Sequence, residues 1–164
     1  MSAETTAVPA ADTGTADREL VHTRLFDAPR ELVFDAYTDP KHIAEWWGPD
    51  GFSTTVYEMD VRPGGRWRFM MHGPDGKDWP NRIVYSEVVR PERLAFEHGS
   101  DVDDDPQRFQ VTITFTDEDG GTRLTQRMLF PTAEQRAMVL KFGALELGQQ
   151  TLNRFAAHLA TRKG

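Results

Sequence analysis

Cysteine is absent from the 164 residues. That excludes disulfides, thiol nucleophiles and thiolate metal sites together, and leaves the redox compartment open. A basic excess is missing too, with 19 Lys and Arg against 26 Asp and Glu and a formal charge of −7. Nucleic-acid binding draws much of its affinity from neutralised phosphates, so no nucleic-acid partner is expected. The same sign disfavours docking on an anionic membrane surface. No apolar run approaches the ~20 residues that span a bilayer. The opening MSAETTAVPAADTGTAD has neither the basic n-region nor the apolar h-region of a secretory signal. The expectation is a soluble cytoplasmic protein with no membrane partner.

Site chemistries are lacking as well. His22, His42, His72, His98 and His158 fall on different predicted elements without ligand-like spacing, so neither a metal nor another cofactor is expected. No G-x-S-x-G elbow is present. The run DVDDDP lacks the Gly and terminal Glu of a calcium loop and reads as a solvated turn.

What is there suffices for one domain, since 38% of the residues are hydrophobic. Residues 1–17 carry no aromatic and a single Val, with Glu4, Asp12 and Asp17 and no base. Such a stretch buries too little apolar surface to offset its ordering entropy, so a disordered tail is expected ahead of a domain at 18–164. Leu20 to Phe26 alternates as a strand, with apolar residues on both faces. The period then lengthens. Asp27 can cap, Pro29 suits a first turn, and Leu32, Val33, Ala36 and Tyr37 make one helical face. Asp39-Pro40 repeats the start signal for a second short helix ending at Trp46-Trp47-Gly48.

Six strands follow, each bounded by turn chemistry: 52–61, 66–72, 79–89, 93–98, 109–116 and 122–130. Short loops between sequential strands make an antiparallel meander. After Pro131, Thr132 and Gln135 form a capping-box pattern, and Leu145, Leu152, Phe155 and Leu159 share one helical face. A single helix of about 28 residues, ~40 Å long, is predicted to lie across the sheet. The order is β-α-α-β6-α.

That order and several phrases resemble the SRPBCC superfamily of START-like domains, within it the group related to the C-terminal domain of the heat-shock-chaperone ATPase activator. The phrases are FDAPRELVFDAYTDPKHIAEWWGP (26–49), MDVRPGGRWRF (59–69), WPNRIVYSEVVRPERLAFE (79–97) and GGTRLTQRMLFP (120–131), with the closing helix. The resemblance implies an α+β helix-grip fold. In it a curved antiparallel sheet wraps a long C-terminal helix, and the two short helices close one end of an internal cavity. Where relatives carry Gly-Trp in that helix this chain has Leu147-Gly148, which implies a wider cavity or a displaced floor.

Strand parity then names a lining. Trp67, Phe69 and Met71 share one face and Arg66, Arg68, Met70 and His72 the other. Tyr57, Met59 and Val61 form the apolar set of the preceding strand. In later strands Leu94, Phe96 and His98, then Phe109, Val111, Ile113 and Phe115, then Leu124, Gln126, Met128 and Phe130 point inward. With Trp47 expected at the mouth, Trp46 and Trp79 in or beside lining segments, Tyr85 on a strand face left open, and Leu145, Gly148 and Leu152 on the helix, these give the candidate ligand-binding residues. From them they are Trp46, Trp47, Met59, Trp67, Phe69, Met71, Trp79, Tyr85, Phe96, His98, Phe109, Gln126, Met128, Leu145, Gly148 and Leu152. No catalytic residue is assigned. Glu87, if inward, would be an acid–base candidate; otherwise it pairs with a strand arginine.

Three functions are carried forward. The first is a module binding a small hydrophobic or amphipathic molecule. The second is a cyclase- or aromatase-like enzyme using the same cavity. The third is a chaperone ATPase regulator, ranked last because such regulators add an N-terminal domain where this chain has a short acidic segment. A homodimer is left open.

Overall fold

The computed structural model describes residues 5–8 and 16–162. The described residues form eight strands: β1 (Thr5–Val8), β2 (Glu19–Phe26), β3 (Ser53–Met59), β4 (Arg66–His72), β5 (Asp78–Val89), β6 (Arg93–Ser100), β7 (Phe109–Glu118) and β8 (Gly121–Leu129). They form one antiparallel sheet in the order β1-β2-β8-β7-β6-β5-β4-β3. The helices are α1 (Arg30–Thr38), α2 (Pro40–Trp46), α3 (Ala133–Lys141) and α4 (Ala144–Ala160). This is the α+β helix grip, a curved sheet around a C-terminal helix. No helix among the described residues is long and apolar enough to cross a membrane.

Because β2 and β3 lie toward opposite sides of the sheet, the chain between them must cross its end. It does so as α1, which touches β7 and β8, and α2, which touches β3. Pro29, rather than Asp27, stands at the cap position of α1. Asp39 does cap α2, accepting from the Lys41 amide at 2.9 Å. Four aromatics lock these helices to α4: Trp46 stacks on Phe155 at 3.9 Å, and Tyr37 meets Trp46, Trp47 and Phe155.

Three expectations are corrected. Thr5–Val8 pairs with β2 from Thr5↔Arg24 to Val8↔Val21, so those four residues are an edge strand rather than tail. Residues 1–4 and 9–15 of that segment lie outside the described residues. The single 28-residue helix is two helices of 9 and 17 residues, separated at Phe142-Gly143. Gly143 adopts φ 87, a left-handed conformation that ends α3, and its amide bonds the Leu140 carbonyl. Tyr57 faces water, 55% exposed, because a bulge between Val56 and Glu58 shifts the register. Thr54, Val56 and Met59 therefore share the face of Met71, Phe69 and Trp67.

Candidate functional site: an apolar cavity under the last helix

A second bulge, between Tyr85 and Glu87, settles the orientation in β5. Tyr85 is buried in the core, where burial pushes its pKa up. Glu87 turns outward and pairs with Arg93 at 2.5 Å, so it is no internal acid.

Between the concave sheet face and α4 lies a cavity of about 200 Å³. Ten of the sixteen candidates line it: Trp46, Trp47, Met71, Phe96, His98, Phe109, Gln126, Met128, Gly148 and Leu152. The other six do not. Trp67, Phe69 and Tyr85 are closed into the core around it, and Met59 packs against that core. Trp79 is the register partner of Met71 but sits at the hairpin end of its strand, 52% exposed. Leu145 lies in the first turn after the helix break and is 37% exposed.

Six lining residues were not among the candidates: His22, Tyr37, Gly48, Pro49, Thr151 and Val111, the last read as inward-facing from strand parity. His22 shares the parity of Leu20 and Phe26, and Thr151 lies one helical turn from Gly148, so period alone could have found both. The Gly48–Pro49 wall depends on a long-range contact. Arg154 Nη1 donates to the carbonyls of Gly48, Pro49 and Phe52 at 2.8, 3.0 and 3.1 Å, tying that loop to α4.

Three polar side chains reach the lining from the sheet, and Tyr37 and Thr151 add hydroxyls from the helices. His22 on β2 and Gln126 on β8 are cross-strand partners. His98 on β6 stands opposite Phe109, beyond the row formed by Met128, Val111 and Phe96. His22 is 1% exposed. Burial lowers its pKa against a smaller opposing pull from the Leu145 backbone. That contact falls short of hydrogen-bond geometry, and neither ring nitrogen has another protein partner. Burial also lowers His98 to about 4. Gly148 does not simply widen the cavity, because the His22 ring fills the space where a side chain would start.

Among the described residues, two clusters built around histidines lie outside the cavity. His42 and His158 share a 2.7 Å hydrogen bond that joins α2 to α4, with Glu45 and Arg162 beside them. On the outer sheet face, Thr55 Oγ1 meets His72 Nε2 at 2.8 Å and His72 Nδ1 meets Asp78 at 2.8 Å. This hydroxyl–imidazole–carboxylate chain is open to water, without the enclosure in which such a relay activates a nucleophile. Among the described residues no group of three or more His, Asp or Glu is placed to hold a metal ion.

Residues 27–160 match the family model described as activator of Hsp90 ATPase homolog 1-like protein. The chain belongs to this family. Among solved structures it is similar to protein Ms6760 from Mycobacterium smegmatis, at 30% identity and a TM-score of 0.80, covering 93% of this chain and 94% of that one. It is also similar to CV1439 from Chromobacterium violaceum, at 26% identity and a TM-score of 0.71 over 85% and 95% of the two chains. A protein from Arthrobacter aurescens shares the fold at 22% identity and a TM-score of 0.84, over 95% and 91%. No curated protein matches the sequence.

Proposed function

We propose that this member of the family is a cytoplasmic binding module that takes a small hydrophobic or amphipathic molecule into the cavity under α4. The observation that carries this reading is an aromatic-walled cavity of about 200 Å³ whose lining holds no Asp, Glu, Lys or Arg. An apolar cavity of ~150 Å³ accommodates a benzene-sized molecule, so this one has room for a somewhat larger guest. Catalysis is poorly served by the same groups. An imidazole with a pKa of about 4 is a weak base at neutral pH, and burial makes Tyr37 a weaker acid than a free phenol. A chaperone-regulating role would act through the surface and leaves the cavity without a purpose.

Native mass spectrometry of freshly purified protein is expected to reveal a co-purified small molecule released on denaturation. An uncharged apolar fluorophore should bind in the low-micromolar range, about −8 kcal/mol, and change tryptophan emission. Binding no tighter than to an all-α protein of similar size would overturn the reading.

A further inference from the structure

We infer that the cavity selects an uncharged molecule of one or two fused rings that donates a hydrogen bond from a hydroxyl group to Nδ1 of His98. This rests on the binding reading above and adds to it the chemical class of the ligand.

The direction of the hydrogen bond follows from a chain of three groups. The Trp79 carbonyl accepts from Asn81 Nδ2 at 2.8 Å, which fixes the orientation of the Asn81 amide. Its Oδ1 is thereby turned to His98 Nε2, 2.9 Å away. A carbonyl oxygen only accepts, so Nε2 carries the ring proton and Nδ1 is left with a lone pair. His98 lines the cavity, so this lone pair is the acceptor its ring has left for a guest that donates.

Charge is excluded by the lining itself. None of the sixteen residues around the cavity is Asp, Glu, Lys or Arg. A carboxylate or ammonium entering it would shed its hydration with no counter-charge to meet it. Ring shape follows from Trp46, Trp47, Phe96 and Phe109, rigid aromatic lining residues that favour a rigid aromatic guest over a flexible chain. On the β2–β8 side of the lining, His22 and Gln126 are placed to receive a second polar substituent, neither His22 nitrogen making a protein hydrogen bond.

The test uses the full chain and three probes of one shape: naphthalene, 2-naphthol and 2-naphthoate, titrated by tryptophan fluorescence at pH 7. The expected order places 2-naphthol roughly two- to tenfold tighter than naphthalene, the gain from one net hydrogen bond. It places 2-naphthoate weakest. His98→Phe should erase the preference for 2-naphthol over naphthalene. In the unsubstituted protein, nitrogen NMR of labelled histidine should show His98 as the Nε2–H tautomer, with its Nδ1 signal moving on addition of 2-naphthol. Naphthalene binding as tightly as 2-naphthol, or 2-naphthoate binding tighter than either, would overturn the ligand class while leaving cavity binding intact. Failure of all three probes to bind would overturn the binding reading and this inference with it.

Discussion

A Cβ atom built on Gly148 would lie 2.9 Å from Nε2 and 3.0 Å from Cε1 of His22. The glycine in the middle of α4 and the buried imidazole of β2 therefore specify one another. Glycine costs about 1 kcal/mol against alanine inside a helix, and here that cost makes room for a polar ring in the cavity wall.

A double-mutant cycle tests the pairing. Gly148→Ala alone is expected to lower stability by about 1 kcal/mol, because overpacking outweighs the gain in helix propensity. In a His22→Ala background the same change should raise stability by roughly 0.5–1 kcal/mol. Chemical denaturation reads both, and additive effects would show that the ring and the glycine are not in contact.

Acid should destabilise the domain through His22 and His158, which are buried, and His98, which is partly buried. His98 has a folded pKa of about 4, below its ordinary value of 6.5, and His22 and His158 are lowered in the same direction, each chiefly by burial. A lowered imidazole prefers the neutral form when folded, so its contribution is present above pH 6.5 and is lost as pH falls toward 4. For His98 alone the loss amounts to about 3 kcal/mol at most. Melting followed from pH 7 to pH 4 should show it, and His98→Phe should flatten the profile.

Arg154 holds one wall of the cavity by three carbonyl bonds. Arg154→Met keeps much of the packing and removes the donors. It should cost about 1–3 kcal/mol and speed amide hydrogen exchange between residues 47 and 52. An unchanged exchange pattern would show that the loop holds itself.

The β1 edge strand offers a smaller test. Deleting residues 1–9 removes the four-residue pairing with β2 and bares that strand's outer edge. A loss near 1 kcal/mol would lower the melting temperature by about 2–4 °C for a domain of this size. Faster exchange is expected on alternate amides of β2. No change in either would mean that this pairing adds nothing to the fold.

Element order from β2 to β8 and most strand faces follow from the sequence alone, because periods of 2 and 3.6 are local properties that short windows display. Thus Trp67, Phe69 and Met71 on one side of β4, and Thr132 with Gln135 at the start of α3, need no knowledge of neighbours. Only the tertiary structure decided where those periods break. The bulges at Val56/Glu58 and Tyr85/Glu87 turned Tyr57 to water, sent Glu87 outward and buried Tyr85. A bulge depends on how a strand registers with its neighbour on a curved sheet, which no single strand encodes. Gly143 was visible as a residue, but its left-handed turn splits the last helix only where α3 and α4 each find a surface to pack on. The cavity is of the same kind: His22, Gly148 and Arg154 are separated by more than a hundred residues from their partners in one direction or the other. Packing forces choose which of the locally allowed faces meet, and only long-range closure brings those side chains together.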